Sequence, residues 1–365
     1  MKAKLKVVIS GGGTGGHIFP AIAIADAIKR RFPESDILFI GAKGRMEMER
    51  VPKAGYPIEG LWISGFTKDL SSLSLPFKLA SSLAKARKIL KRFKPDVVIG
   101  VGGFASGPTL KAANWLHIPT VIQEQNSYPG KTNRNVGQKA KAICVAYEKM
   151  DQWFPKERIH LTGNPLRANI AVNANRNEAA AYFKVDSSKP VVLLVGGSQG
   201  ALGINKGISA QLEAFKASDM QLIWQTGKFY YEQAVAQVKE AGLEDKVKPT
   251  IFIDRMDLAY AIADVVISRA GAMSISELAL VQKPVIFVPL PTAAEDHQTK
   301  NAQRLVDAQA AIMVRNSETK QKLVSTLKQL VDDKAMQEQM KVNIGKFARP
   351  NAADDIVEQI VKIIE

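Results

Sequence analysis

The chain has 365 residues, enough for two domains with full cores, and its 46% hydrophobic and 23% charged content describes a globular protein, not a disordered one. No apolar run is long enough to span a bilayer and no signal-peptide core precedes the first strand, so a cytoplasmic protein is expected, with the lone Cys144 read as a buried, inert thiol. The formal net charge of +15 is concentrated in one half: residues 1–165 hold 26 Lys/Arg against 12 Asp/Glu, and the remainder holds 24 against 23. Such asymmetry calls for an acidic partner surface on the first half, and the scarcity of aromatics and lack of a basic-aromatic module favour an anionic membrane over nucleic acid.

The first apolar run, KVVIS, ends in the turn GGGTGGH at residues 11–17. A buried strand released into a helix through such a turn aims backbone amides and the positive dipole end at an anion, typically a phosphate. Gly11, Gly13 and Gly16 satisfy G-x-G-x-x-G, but the next strand, DILFIGAKG, ends in Gly41, Ala42 and Lys43 where a dinucleotide site needs an acid, so NAD or FAD ranks third. His17 follows the loop at the helix start, where the dipole keeps an imidazole neutral. It reads either as a proton acceptor beside an anion site or as a local helix cap. His117 and His160 lie beside or within apolar strands and read as structural.

Residues 76–94, PFKLASSLAKARKILKRFK, place Leu79, Leu83, Ala86, Leu90 and Phe93 at helical spacing with Lys78, Lys85, Lys88, Lys91, Arg92 and Lys94 beside them. Packing against the sheet is the stronger reading, and it is compatible with Leu70, Leu73, Leu75 and Phe77 meeting a bilayer while the lysines sense anionic headgroups. Strand-like runs DVVIGV, PTVIQ and AICVA complete the first half, and a linker is expected near Gly163, Asn164 and Pro165.

The second half repeats the rhythm with VVLLV, which enters a second glycine turn at GGSQG, then QLIWQTG, PTIFI at 249–253, DVVISRAG, PVIFVP and AAIMV. Continuous Val/Ile runs alternating with helices indicate parallel sheets buried on both faces, with ligands bound beyond the carboxyl ends of the strands. The expected fold is therefore α/β, as two Rossmann-like domains whose strand-end loops face a central cleft. The expected division is residues 1–164, joined by the terminal helix at about 345–365, and residues 165–344. No metal constellation is expected, since Asp332/Asp333 and Asp354/Asp355 belong to polar helical stretches. His297, in a polar loop or helix start, is a possible ligand contact.

GGGTGGHIFPAIAIA, GVGGFASGP (100–108), EQNSYPGKTN (124–133), GNPLR (163–167), GGSQGA (196–201), SRAGAMSISE (268–277) and DHQTKNA (296–302) together resemble the MurG family. These are the UDP-N-acetylglucosamine:lipid I N-acetylglucosaminyltransferases of peptidoglycan synthesis, and the likeness runs in consistent order over nearly the whole chain. It implies a GT-B fold with the acceptor on the N-terminal side and the nucleotide sugar chiefly on the C-terminal side. The implied reaction is inverting and metal-independent, needs no cofactor, and takes place at the cytoplasmic face of the membrane. UDP-GlcNAc donates to the 4-hydroxyl of MurNAc in lipid I, giving lipid II.

By the same resemblance Thr14, Gly15 and Gly16 approach the donor or the lipid diphosphate, His17 is the candidate base with Glu124 as the second, and Asn126 and Gln298 contact GlcNAc hydroxyls. Arg167 and Ser198 match positions near the nucleotide diphosphate, where a guanidinium neutralises charge and a hydroxyl donates. Glu277 matches the carboxylate that accepts from the ribose diol, although Ser274 to Glu277 also reads as a capping box. The Ile253 backbone would meet the uracil edge, and Ala272, Met273, Ser274, Ile275 and Ser276 form the helix start beneath the phosphates. Gly102, Gly103 and Ser106 offer a further amide-rich turn to the acceptor diphosphate. Gln123 and Phe104 depart from the family's His and Tyr, and residues 66–75 match it poorly. A glycosyltransferase acting on a soluble acceptor and a nucleotide-sugar-binding regulator are the alternatives.

Overall fold

The structure is a computed structural model that describes residues 4–64, 75–167, 170, 174–197, 200–293 and 296–365. Its contacts divide the chain into Met1–Arg167 with Arg349–Glu365, and Ala168–Ala348.

In the first unit the order is β1 (Lys6–Ser10), α1 (Gly15–Arg31), β2 (Asp36–Ala42), α2 (Glu47–Lys53), β3 (Ile58–Leu61), α3 (Leu75–Phe93), β4 (Val97–Gly100), α4 (Ser106–Trp115), β5 (Thr120–Glu124), α5 (Lys131–Gly137), β6 (Ala142–Val145) and β7 (Ile159–Leu161), closed by the terminal α15 (Ala352–Ile364). The second unit runs α6 (Arg176–Phe183), β8 (Val191–Val195), α7 (Leu202–Ser209), α8 (Glu213–Lys216), β9 (Gln221–Gln225), α9 (Tyr231–Glu240), β10 (Val247–Thr250), α10 (Met256–Ile262), β11 (Val265–Ser268), α11 (Ala272–Leu280), β12 (Val285–Phe287), α12 (His297–Asp307), β13 (Ile312–Met313), α13 (Thr319–Asp332) and α14 (Lys334–Gly345).

Both sheets are parallel and share one winding. The first runs β3-β2-β1-β4-β5-β6-β7 and the second β10-β9-β8-β11-β12-β13, so strand order reverses beside β1 and again beside β8. Val8 pairs with Leu38 on one side and Val98 on the other, which fixes the register at the first reversal. Central strands are buried on both faces: Val7 and Ile9 join the layer containing α1 and α15, while Val8 joins Leu38, Ile40 and the residues of α3 and α4. In the second unit Leu193 belongs to one layer and Val192 and Leu194 to the other.

Two strands lie beyond the five read from the first half of the sequence. β3 and β7 are the edges of their sheet, short and partly exposed, so neither carries the continuous apolar run that marks a central strand. The strand expected over 249–253 is displaced: β10 ends at Thr250 and Ile253 lies in the loop beyond it. Pro249 fits this edge strand because a residue without an N–H costs nothing on the unpaired side.

Cys144 lies in β6, fully buried, and burial pushes its thiol up to about 12. The terminal helix packs Ile356, Val357, Ile360 and Val361 into the core beside α1, with Arg30–Asp354 and Arg31–Glu358 ion pairs at its exposed edge. Exposed pairs contribute little, so burial holds the helix. Ile360→Ala should cost the first unit about 2–5 kcal/mol, read as a lower urea midpoint. A midpoint unchanged from wild type would show that α15 is not part of this core.

Candidate active site

The reversal beside β1 brings two glycine turns together, those following β1 and β4. A Cβ on Gly103 would overlap the Gly12 carbonyl oxygen, so the two backbones meet at a distance that only glycine permits. α1 then starts at Gly15 with Thr14 as its cap residue. Thr14 gives no side-chain cap and the first turn contains no acid, which leaves the Gly15 and Gly16 amides without a protein partner among the described residues.

His17 is the third residue of α1 and is half-buried. Its Nδ1 lies 3.1 Å from the Gly12 carbonyl oxygen and 3.3 Å from Thr14 Oγ1. A carbonyl only accepts, so Nδ1 carries the hydrogen, and the Nε2 lone pair of the neutral ring is left open. Nε2 faces the second turn, where a Cβ on Gly102 would stand 2.9 Å from it. Burial holds the imidazole below the usual histidine value, partly offset by the bond to Gly12 and the charge of Glu47.

Glu47, at the start of α2, was missed by the sequence reading. The acid that is absent from the end of β2 arrives five residues later: Glu47 turns back to accept from Gly13 N at 2.8 Å and Ala42 N at 3.0 Å. It is 1% exposed, with both oxygens occupied, so it offers nothing to a ribose.

Glu124 ends β5 and is equally buried. Oε1 accepts from Asn126 N (3.0 Å) and Asn126 Nδ2 (3.3 Å), while Oε2 accepts from Gly130 N (3.1 Å) and Asn133 Nδ2 (2.8 Å). Burial raises its pKa against these four bonds. Four donors fill the acceptor capacity of a carboxylate, so taking up a proton would break the loop it organises. Gln123 donates to Asn164, which in turn donates to the Gln125 carbonyl, so the place where the family has His is bound into the base of the loop. Nearby, Ser106 Oγ and Asn133 Oδ1 are buried without partners among the described residues, and Phe104 is exposed. Arg167 stacks its guanidinium on Phe19 of α1, 4.4 Å from the ring centroid, and its buried Nε has no partner among the described residues.

In the second unit the glycine turn follows β8, and Ser198 lies outside the described residues. Gly200, at φ 78°, sits against the Thr226 carbonyl, which also accepts from Asn205 Nδ2 at 2.8 Å; Asn205 Oδ1 accepts from Trp224 Nε1 at 2.9 Å. After β11, α11 begins at Ala272 with Gly271 as cap, no side-chain cap and no acid in its first turn. Among the described residues the amides of Ala272, Met273 and Ser274 therefore have no partner at the helix start, whereas Ile275 N bonds to Gly271 O. Ala272 and Ile275 turn their side chains into the core, and Ser276 Oγ donates to the Ala272 carbonyl.

The capping box does not form, because Ser274 and Glu277 both lie inside the helix. Glu277 instead accepts from Tyr260 OH at 3.0 Å. Gln298, second in α12 after His297, accepts from Leu290 N at 3.0 Å through Oε1. Among the described residues no hydrogen bond engages the Ile253 backbone. Arg269, also unforeseen, donates to the carbonyls of Val288 and Pro289 and to Asn316, and burial lowers it to about 10. It therefore stays cationic at neutral pH just ahead of the α11 start.

Comparison with known proteins shows the family. The Glycosyltransferase family 28 N-terminal domain matches residues 7–145, and the Glycosyltransferase family 28 C-terminal domain matches residues 191–358. The chain belongs to glycosyltransferase family 28. The UDP-N-acetylglucosamine--N-acetylmuramyl-(pentapeptide) pyrophosphoryl-undecaprenol N-acetylglucosamine transferase of Flavobacterium psychrophilum is 53% identical, covering 99% of this chain and 98% of its own. The transferase of the same name from Porphyromonas gingivalis is 52% identical, covering 100% and 97%. The crystal structure of Acinetobacter baumannii MurG superimposes with a TM-score of 0.76 at 30% identity, covering 98% of this chain and 99% of that one. The likeness to UDP-GlcNAc 2-epimerase from Neisseria meningitidis, TM-score 0.68 at 15% identity and covering 98% and 100%, shows the fold alone.

Both glycine turns are thus braced from below, one by a carboxylate and the other by a neutral side-chain chain. Asn205→Leu should leave the Trp224 N–H without its partner and cost the second unit about 1–3 kcal/mol, measured by chemical denaturation. Wild-type stability in that variant would show that the chain does not brace the turn.

Proposed function

We propose that the protein transfers GlcNAc from UDP-GlcNAc to the 4-hydroxyl of MurNAc in undecaprenyl-pyrophosphoryl-MurNAc-pentapeptide, with inversion and without a metal, giving lipid II. The observation that carries this reading is the full-length identity of 53% to a transferase of that name. The site chemistry is compatible with it. In this reading Nε2 of neutral His17 takes the proton of the attacking hydroxyl, the oxygen bonds to the anomeric carbon from the face opposite the UDP oxygen, and UDP departs with the bonding pair. Charge developing on the diphosphate is met by the open amides at the start of α11 and by Arg167, without a metal-binding Asp-x-Asp.

The remaining roles are those that the family resemblance implies. Glu277 accepts from the ribose diol, the unengaged Ile253 backbone meets the uracil edge, and Ser198 joins the diphosphate. Gln298 keeps its amide N–H groups and Asn126 its carbonyl oxygen for GlcNAc hydroxyls, while Thr14, Gly15 and Gly16 lie toward the donor or the lipid diphosphate. Between the two candidate bases, His17 is preferred, and Glu124 positions Asn126. The unit containing residues 1–167 takes the acceptor, and the unit spanning 168–348 takes the nucleotide sugar.

Labelled GlcNAc should pass from UDP-GlcNAc to a lipid I analogue as well in EDTA as without it. UDP release only with a soluble acceptor would replace this function, and UDP-GlcNAc binding without turnover would leave a binding protein. His17→Ala should lower kcat by about 10²–10⁴; retention of kcat there, with its loss in Glu124→Gln, would reverse the base assignment. Burial holds the histidine below its ordinary value, so the base of the free enzyme is neutral at pH 7, and the acid limb of the kcat/KM profile should lie below the ordinary histidine range.

The protein is further proposed to act as a peripheral protein at the cytoplasmic face of the membrane. Among the described residues no helix is long and apolar enough to cross a membrane. α3 buries Ser82, Ala86, Ile89 and Leu90 and exposes Phe77, Leu79, Arg87, Lys88, Lys91 and Arg92. Lys85 donates to the Gly60 carbonyl and Lys78 to Ser64, so those two serve packing, and Leu70 and Leu73 lie outside the described residues. Replacing Lys88 and Lys91 together by Ala should weaken binding to anionic vesicles by about 2 kcal/mol, roughly thirtyfold. Equal binding by wild type and variant would count against a lipid-facing α3.

A further inference from the structure

The Gly12 carbonyl and the Gly13 N–H belong to one peptide unit, and both of its polar ends are held. The N–H donates to Glu47 Oε2 at 2.8 Å, and the carbonyl accepts from His17 Nδ1 at 3.1 Å. Gly41 makes room for the carboxylate, since a Cβ there would stand 2.6 Å from Glu47 Cγ. The carboxylate's second oxygen takes the Ala42 N–H, so this buried charge spends its bonds on one backbone amide inside the glycine turn and one at the end of β2.

We propose that Glu47 is a positioning residue for the transfer reaction: through the Gly12–Gly13 peptide it holds His17 in the Nδ1-protonated tautomer, with Nε2 open as the proton acceptor. The proposal rests on the reading of His17 as the base. An amide whose N–H is bonded to a carboxylate is polarised, and its carbonyl oxygen becomes a stronger acceptor. That stronger acceptor favours hydrogen on Nδ1 and stabilises the imidazolium formed when Nε2 takes the hydroxyl proton. A carboxylate bonded directly to a catalytic histidine acts in the same way, and here one peptide is interposed.

The surroundings leave Glu47 as the charge that acts on the ring. The turn after β4 presents the Gly102 backbone, α5 presents the uncharged Asn133 bonded to Glu124, and on α1 the Arg167 cation is stacked on Phe19. Thr14 Oγ1, 3.3 Å from Nδ1, accepts as readily as it donates, so it is compatible with hydrogen on that nitrogen. Glu47 raises the histidine's pKa while burial lowers it, the sign expected of an anion that favours imidazolium.

The test is ¹⁵N NMR of the imidazoles in the full chain, with His17→Ala identifying His17 among the four histidines, run beside pH profiles of transfer. Neutral His17 should show hydrogen on Nδ1 in the wild type. In Glu47→Gln its pKa should fall and the Nε2-protonated tautomer should appear. In that variant kcat should drop about tenfold or more with KM for UDP-GlcNAc nearly unchanged, and the acid limb should move to lower pH. Hydrogen on Nε2 in the wild type would overturn the proposal even if the variant failed to fold, and so would an unchanged tautomer and pKa in a folded Glu47→Gln. A tautomer that shifts while kcat holds would overturn the catalytic role of His17 and leave the hydrogen-bond chain standing, so the two failures are distinguishable.

Discussion

Where strand order reverses in a parallel sheet, the loops leaving two adjacent strands diverge to opposite faces and open a gap at the carboxyl edge. In the first unit that gap, beside β1, is narrowed until the Gly12 carbonyl lies against Gly103, a separation that any Cβ would forbid. The rest of the site hangs on this contact. It fixes where α1 starts, which peptide the third residue of that helix can reach, and which backbone its other ring nitrogen faces. The burial that lowers the His17 pKa comes from the same closeness.

The second unit repeats the winding with different chemistry beneath the turn. Gly200 is held against a carbonyl that is fixed by the neutral Asn205–Trp224 pair, whereas the first turn is tied to the Glu47 carboxylate. A buried anion touching a loop weakens, without excluding, the binding of a second anion there, and a neutral brace does not. The contrast bears on which turn is the better site for the proposed nucleotide diphosphate and leaves the lipid diphosphate compatible with the first. Arg269, buried and cationic ahead of α11, adds to the contrast. The electrostatics of the two turns thus agree with the proposed assignment of the nucleotide diphosphate to the second unit and of proton transfer to the first.

The doubly wound class was legible because a strand buried on both faces is apolar through its middle, and runs such as VVLLV and the VVI of KVVIS recur between helical stretches and end in turns. The edges were not legible for the converse reason: β3 and β7 each present one side to solvent, and IEGL or IHL carries no unbroken apolar run. Glu47 is not legible because a ribose-binding acid belongs at the end of β2, and only the fold turns the start of α2 back under the loop. The apparent Ser274–Glu277 box failed because Gly271 stops the extended segment three residues earlier, placing both side chains inside the helix. Residue roles at the sugar and the ribose came from resemblance alone, since no spacing distinguishes a glutamate that binds a diol from one that accepts a tyrosine hydroxyl.

α3 shows how one pattern carries two meanings without conflict. Its buried positions, 82, 86, 89 and 90, recur at four, three and one, which is the stripe of a helix laid on a sheet. Packing takes that stripe and two of the lysines, Lys78 and Lys85, whose ammonium groups reach Ser64 and the Gly60 carbonyl. Left outside are Arg87, Lys88, Lys91 and Arg92 with Phe77 and Leu79 a turn or more earlier, a cationic strip with an apolar end. Arg92 is further engaged by Glu59, so the cations least committed to the protein are Arg87, Lys88 and Lys91. The excess positive charge of the first half is therefore partly structural and partly free, and only the free part is available to an anionic surface.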